Sequence, residues 1–348
     1  MLVVDDSALM RKVVSEVIAS LQDFFVVGTA RDGREALEKI YALDPDIVTL
    51  DIEMPELDGI AALGYIMSET PRAVVMLSAA ESRGDVDLTL RALDLGAVDF
   101  VRKHSRAGSR QVLEVADRLE QALRAAAVVN LRGVPALPRP AVLPPRPSPD
   151  PRYARAVVAV ACSTGGPRAL AEFVPMLTSE LDAAVLVVQH MPPGFTLGLA
   201  QRLDRISALE VTEARDGEAV LPNHVYIAPG GMHMTVESGA GGAHVRLSDE
   251  PPLWGVRPAA DLLFRSVAAS FGSASVGVVL TGMGRDGGAG LGAIRQAGGG
   301  AIVQDRESAT IYGMPQSALE VAGADLVAPL DLVASAVTKL LSARRPPR

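Results

Sequence analysis

A chain of 348 residues exceeds one ordinary compact core, and at roughly 100–200 residues per domain it divides into about two units. Hydrophobic residues make up 49% of it and aromatics only 4%, so its cores are aliphatic, which suits stacked α/β layers. A net charge of −8 gives no footprint for a nucleic-acid backbone, and no apolar run reaches the roughly 18 residues of a bilayer span.

The single cysteine, Cys162, excludes an internal disulfide and a self-contained zinc site, and it fits a reducing compartment. No basic segment leads into an apolar stretch at Met1, so the expectation is a cytoplasmic protein without membrane insertion.

From the amino terminus, β-rich runs at Leu2–Val4, Val26–Ala30, Ile47–Leu50, Val74–Leu77 and Asp99–Val101 alternate with helical patterns, which predicts a parallel sheet. The first run is short beside a mean strand of about 5–6 residues, so a natural start somewhat upstream of Met1 is expected. Asp5 and Asp6 follow that first run and Asp51 ends the third. In an open α/β sheet this edge is where sites form. Three carboxylates together repel unless a cation neutralises them, and hard oxygen donors suit Mg²⁺. Ser78 ends the fourth run and offers a hydroxyl, while Lys103 follows the fifth and offers a point charge to phosphate. The set reads as a phosphoryl-acceptor pocket.

Val112, Val115, Leu119, Ala122 and Leu123 recur at helical spacing and predict a helix over Ser109–Val129. Leu131–Arg152 then carries prolines at 135, 138, 140, 144, 145, 147, 149 and 151, a density that continues neither helix nor ladder and reads as a semi-rigid linker.

Beyond the linker, further β-rich runs fall at Val157–Ala161, Val185–Val188, Val225–Ala228 and Val276–Leu280. The first leads through Cys162 to Ser163 and then to Pro167, placed as a helix-opening proline, so Ser163 lies at a sheet edge beside the N–H groups of a helix start. The second ends in His190, and the last leads through Thr281-Gly-Met-Gly-Arg to Asp286. Serine needs an imidazole to take its proton and a carboxylate to orient that imidazole, so three strand ends deliver the parts of one triad.

Alternatives stand beside this reading. Ser-Thr-Gly-Gly is also an N-cap or anion-site pattern. Cys162 is a rival nucleophile, although as the last strand residue it is expected to point inward. The order Ser, His, Asp and the lack of a G-x-S-x-G elbow disfavour a lipase-like hydrolase. The Gly/Ala-rich stretch Ser238–Ala243 reads as a loop, and His233 as wall or structure.

The first half resembles a two-component receiver domain through Val-Val-Asp-Asp-Ser, Leu-Asp-Ile-Glu-Met-Pro-Glu-Leu-Asp-Gly, Leu-Ser-Ala and Val-Arg-Lys, although His104 stands where that family has proline. From Ala156 to about Leu341 the chain resembles the catalytic domain of chemotaxis-type protein-glutamate methylesterases through Ala-Cys-Ser-Thr-Gly-Gly-Pro, Val-Val-Gln-His-Met-Pro, Tyr-Ile-Ala-Pro-Gly-Gly-Met-His and Leu-Thr-Gly-Met-Gly-Arg-Asp-Gly. These resemblances imply an α/β protein with a doubly wound, flavodoxin-like receiver domain over 1–130, the proline-rich linker over 131–152 and a parallel-sheet methylesterase domain over 153–348.

They imply Asp51 as the phosphorylated residue, with Asp5, Asp6, Asp51 and the Glu53 backbone carbonyl holding Mg²⁺. Ser78 and Lys103 would grip the phosphoryl group, and Phe100 would be the switch aromatic, turning inward as Ser78 is drawn to phosphate. For the esterase they imply Ser163 as nucleophile, His190 as base and then acid, Asp286 as its orienting carboxylate and the Met283 N–H as oxyanion donor, with no cofactor. The implied activity is phosphorylation-activated hydrolysis of glutamate methyl esters on chemoreceptor cytoplasmic helices, with deamidation of receptor glutamines. A histidine kinase is the implied phosphodonor and the expected state is a monomer. A non-enzymatic phosphorylation-gated module is disfavoured by the intact triad positions, and a DNA-binding regulator by the absence of a basic domain.

Overall fold

The computed structural model describes residues 1–79, 83–103, 109–131, 152–239 and 241–344, which fall into two compact units, Met1–Leu137 and Pro138–Arg348. The expected linker, apart from Leu131 and Arg152 at its ends, and His104 lie outside the described residues. Among the described residues no helix is long and apolar enough to cross a membrane.

The first unit runs β1 (Leu2–Val4), α1 (Ala8–Ser20), β2 (Gly28–Ala30), α2 (Gly33–Leu43), β3 (Ile47–Asp51), α3 (Gly59–Glu69), β4 (Ala73–Ser78), α4 (Arg83–Leu95), β5 (Asp99–Arg102) and α5 (Ser109–Ala127). Its strands pair in parallel in the order β2-β1-β3-β4-β5, the flavodoxin-like arrangement. Every residue of β3 and β4 is buried, because helices cover both faces of a doubly wound sheet. The helices start where short polar side chains satisfy their first N–H groups: Ser7 accepts from Met10 N, Asp32 from Glu35 N and Asp58 from Ala61 N. Leu63 and Ile66 of α3 are fully buried, each worth roughly 2–3 kcal/mol.

Gly59 opens α3 where the chain folds back on β3. A Cβ there would sit 1.9 Å from the Asp51 carbonyl oxygen and 3.0 Å from Ile52 Cα, both backbone atoms. Gly59→Ala is expected to destabilise the first unit by about 2 kcal/mol or more, read as a fall in its urea midpoint; an unchanged midpoint would show that the loop yields freely.

The second unit runs β6 (Val157–Cys162), α6 (Gly166–Phe173), β7 (Ala184–Gln189), α7 (Phe195–Ile206), β8 (Glu210–Glu213), β9 (His224–Ile227), β10 (His233–Gly239), β11 (Gly242–Ser248), α8 (Ala260–Phe271), β12 (Ser275–Val279), α9 (Gly288–Gln296), β13 (Gly300–Gln304), α10 (Gly313–Ala322), β14 (Leu326–Ala328) and α11 (Leu330–Arg344). Seven strands pair in parallel in the order β14-β13-β12-β6-β7-β9-β8. From β6 the later strands are laid down on both sides, so the sheet reverses direction there and leaves a crevice at its carboxyl edge.

The loop expected over Ser238–Ala243 is corrected. Ser238 pairs with Ala243 and Gly239 with Gly242 in an antiparallel ladder, so the stretch is the tip of the β10–β11 hairpin. One of its glycines records close packing: a Cβ on Gly242, whose φ is +137°, would meet Tyr153 Cγ at 2.0 Å.

Candidate functional site

In the second unit, β12, β6 and β7 are adjacent strands, and the loops that leave them are stitched together by backbone hydrogen bonds. Ser163 N–H donates to Thr281 O at 3.0 Å, and His190 N–H donates to Cys162 O at 3.1 Å. The buried Gln189 side chain donates from Nε2 to Ser163 O at 2.9 Å and to His190 O at 3.2 Å. The buried Thr281 hydroxyl accepts from Ile311 N–H at 2.9 Å and lies 3.0 Å from Thr164 O. Gln189 and Thr281 were missed as site residues, although both are polar residues standing next to the motif positions at strand ends.

Helix α6 opens at Gly165, with φ +79°, and no side chain caps it. The Ser163 hydroxyl is therefore not spent as an N-cap; of the first positions of α6, Gly166 N–H donates to Ser163 O at 2.8 Å and Pro167 has no N–H. Met283 lies on the exposed loop after β12, bracketed by two hydrogen bonds, Gly282 N–H to Ile311 O and Met314 N–H to Gly282 O. Among the described residues the Met283 N–H donates to no acceptor.

Asp286 is 2% exposed and its Oδ2 lies 2.8 Å from His190 Nε2. It also accepts from the N–H groups of Ala260 at 2.6 Å, Asp261 at 2.9 Å and Gly287 at 3.0 Å, so it caps α8 from a distance. Burial pushes this carboxyl up, but His190 and the α8 N–H groups outweigh it and hold the group below its ordinary value. An ionised carboxylate only accepts, so Nε2 carries a proton, and in the neutral imidazole Nδ1 is the bare nitrogen. No hydrogen bond joins Ser163 Oγ to the imidazole among the described residues.

Cys162 is fully buried, its Sγ 3.7 Å from Val188 O, and burial pushes the thiol far above its ordinary value. A thiol so held is not a nucleophile near neutrality. Cys162→Ala is expected to keep the hydrolytic rate within about threefold, because the removed sulfur makes no contact the chemistry needs; loss of activity without unfolding would instead favour the thiol. His233 is 1% exposed with both ring nitrogens on backbone groups, Nδ1 accepting from Ala259 N–H at 3.1 Å and Nε2 at 3.2 Å from Pro251 O. It is a strut beside the α8 start.

In the first unit, Asp5 follows β1 and Asp51 ends β3, its neighbour in the sheet. One carboxylate oxygen from each of Asp5, Asp6 and Asp51 lies within 4.8 Å of the others. Lys103 Nζ reaches Asp51 Oδ1 at 2.6 Å and Asp5 Oδ2 at 3.2 Å. Burial raises the Asp51 carboxyl to about 6 against the opposing pull of Lys103, and Asp5 and Asp6 add to the rise. Burial alone would lower Lys103, but Asp51 and Asp5 hold it above its ordinary value, so it stays protonated. Arg11, also missed from the sequence, fastens the β1–α1 loop by donating to the carbonyls of Asp5 and Asp6.

Ser78 is 1% exposed and its Oγ lies 2.8 Å from Thr89 Oγ1 on α4. Thr89 donates to Asp85 O at 2.8 Å, so the bond between the hydroxyls is donated by Ser78. Nothing in the sequence marks Thr89 except its place on a helix. Phe100 is only 3% exposed in this conformation, in which Ser78 is held by Thr89. Glu53 is exposed and its carbonyl accepts no hydrogen bond among the described residues.

Comparison with known proteins agrees with both halves of this geometry. The CheB methylesterase family model matches residues 158–337 and the response regulator receiver domain model matches 1–114. A Symbiobacterium thermophilum protein named protein-glutamate methylesterase/protein-glutamine glutaminase is 46% identical over 97% of this chain and 96% of its own. One of the same name from Pyrococcus horikoshii is 43% identical over 97% of this chain and 92% of its own. Among solved structures, the Thermotoga maritima CheB methylesterase catalytic domain matches with a TM-score of 0.52 and 41% identity over 53% of this chain and 98% of that one. With a receiver-type sheet in its first unit and a methylesterase-type sheet edge in its second, this chain belongs to the CheB methylesterase family.

Proposed function

We propose that this chain is a phosphorylation-activated serine esterase that hydrolyses glutamate 5-O-methyl esters on chemoreceptor cytoplasmic helices to glutamate and methanol. The observation that carries the reading is the 2.8 Å contact between His190 and the buried Asp286 on strands either side of the one that delivers Ser163. Capping the α8 start accounts for the buried carboxylate alone, whereas a triad accounts for the carboxylate, the imidazole and the serine together.

The chemistry follows from the site. Ser163 Oγ attacks the γ-carbonyl carbon while its proton passes to His190 Nδ1, and Asp286 steadies the imidazolium through Nε2. The developing oxyanion takes the Met283 N–H. Collapse breaks the bond to methoxide, which leaves as methanol with the proton from His190. Water then adds to the acyl-serine with His190 again as base, releasing the glutamate carboxylate and restoring Ser163. A glutamine side chain presents the same carbonyl with ammonia as the leaving group, so deamidation runs on the same residues. No cofactor is needed for either.

The phosphoacceptor is Asp51, with Ser78 and Lys103 as the groups that hold the phosphoryl oxygens and a histidine kinase as donor. Asp5, Asp6, Asp51 and the Glu53 carbonyl would hold Mg²⁺, which when bound supplies positive charge facing those oxygens. Two buried carboxylates sharing one lysine fit such a cation, since Lys103 alone leaves Asp51 raised to about 6. Without a divalent cation Asp51 is expected to titrate near 6, and lower once Mg²⁺ is added, because the cation favours the carboxylate. A carbon-13 titration of the Asp51 carboxyl checks this, and no movement on adding Mg²⁺ would remove the metal from the pocket.

We assign 1–130 to the receiver, 131–152 to the linker and 153–348 to the esterase, acting as a monomer in the cytoplasm. Methanol release from methylated receptor membranes tests the reading directly. Release that does not depend on Ser163, or no release at all, sinks it.

A further inference from the structure

Two arginines near the catalytic loop are each laid on an aromatic ring. Arg285 directly precedes Asp286, and its guanidinium carbon lies 4.9 Å from the centre of the Trp254 ring. Arg306, in the turn after β13, lies 4.3 Å from the centre of the Tyr312 ring.

Both rings are fastened to the catalytic loop. The half-exposed Trp254 donates from its indole nitrogen to Asp261 Oδ2 at 2.9 Å, and Asp261 N–H in turn donates to Asp286 Oδ1 at 2.9 Å. The second Asp261 oxygen accepts from Gly290 N–H at 2.7 Å, so this buried carboxylate is fully occupied in holding the indole against the loop. Tyr312 stands between Ile311, whose carbonyl takes the Gly282 N–H, and Gly313, whose Cβ position is 3.3 Å from Met283 Cα. The loop that carries Met283 and Asp286 is thus tied to one ring at the start of α8 and to the other at the start of α10.

Among the described residues neither Arg285 nor Arg306 forms an ion pair with a carboxylate. Arg306 spends one donor on Gln316 Oε1 at 3.2 Å. Both arginines are exposed. Stacking on a ring removes much of an arginine's rotamer freedom and leaves its planar fork of donors pointing outward, a form suited to a carboxylate and unsuited to a neutral ester.

We propose that Arg285 and Arg306 are specificity-determining residues that hold acidic side chains flanking the esterified glutamate on the substrate helix. The proposal rests on the esterase reading above. On a helix the residues three and four positions away share a face with the ester, so carboxylates there are presented together with it and within reach of exposed arginines beside the site. The esterified side chain is uncharged and enters at the end of β6, where Ser163 attacks, next to the loops after β12 and β13 that carry the arginines. The arginines touch no reacting atom, so their contribution falls on substrate binding.

The test is steady-state methanol release by the full chain, with phosphodonor and Mg²⁺, from helical peptides bearing one glutamate methyl ester flanked four residues away on each side by Glu, Gln or Lys. Wild type is expected to show a KM about tenfold lower for the Glu-flanked than for the Gln-flanked peptide, narrowing as salt is added. Arg285→Glu and Arg306→Glu are each expected to lose that preference and to favour the Lys-flanked peptide, with kcat on the favoured peptide held within about twofold of wild type. A merely structural arginine would not reverse the charge preference. Retention of the Glu preference in both variants, or an equal loss of kcat on all three peptides, overturns the proposal. Equal wild-type KM for the three peptides overturns it while leaving the esterase intact. No methanol from any of them removes the esterase reading itself.

Discussion

Ser163→Ala is expected to lower methyl-ester hydrolysis by about 10⁴-fold or more while leaving the thermal midpoint nearly unchanged. The rate falls because the acyl-enzyme route is closed. The fold survives because the lost hydroxyl caps no helix: α6 opens on Gly165 without a side-chain cap. What holds the loop is backbone and Gln189, through Ser163 N–H to Thr281 O and Gln189 Nε2 to Ser163 O, and alanine keeps both. His190→Ala is expected to cost about as much, and the double variant little more, because members of a triad act as one unit. Losses that multiply would mean that the two side chains act independently.

Asp286→Asn separates orientation from charge in the same assay. The carboxylate accepts from His190 Nε2 and from three backbone N–H groups. An amide cannot accept from all of them, and where its NH₂ faces the imidazole it favours the proton on Nδ1, the nitrogen that must be bare. The loss is expected near 10⁴-fold, with some loss of stability as well, since the α8 start gives up part of its cap. An Asp286→Asn variant near wild-type rate would free the carboxylate from the mechanism.

A small phosphodonor with Mg²⁺ is expected to raise esterase activity on the order of tenfold, the scale of an ordinary coupling free energy, and Asp51→Asn is expected to abolish the response. The local cause is a change of hydrogen-bond partner. A phosphoryl group on Asp51 adds charge and strong acceptors beside Lys103, which already reaches that carboxylate at 2.6 Å. Ser78 now donates to Thr89 on α4; drawn to phosphate instead, it releases that hydroxyl and changes the hold on the helix. Phe100 is buried in this conformation, and the Ser78–Thr89 bond is the contact to watch. Thr89→Val, which cannot accept from Ser78, is expected to raise activity without phosphodonor. A full response to phosphodonor in Asp51→Asn would place the phosphoryl group elsewhere.

Much of this protein was legible before its structure. Buried parallel strands are written as continuous aliphatic runs, so β3, β4, β6, β7 and β12 and the residues at their ends could be read directly, as could the helix that buries Leu119, Ala122 and Leu123. The fully buried β13 escaped because Gly298, Gly299 and Gly300 lead into it and leave only Ala301–Val303 as an apolar run, and other misses were of weaker signal. The short β8 and β14 bury little surface, and the β10–β11 tip is rich in glycines that read as loop, of which Gly242 leaves room for Tyr153.

The sequence by itself determined that Ser163, His190 and Asp286 stand at strand ends, and that Asp5, Asp6, Asp51, Ser78 and Lys103 do so in the other half. Only the tertiary structure decided which of those ends are neighbours. Strand order is set by pairings between residues far apart in the chain, and periodicity along one strand carries no record of its partner. The order β12-β6-β7 places the serine between the strands of its two partners, and α8, from another part of the chain, adds its N–H groups to His190 in keeping Asp286 ionised.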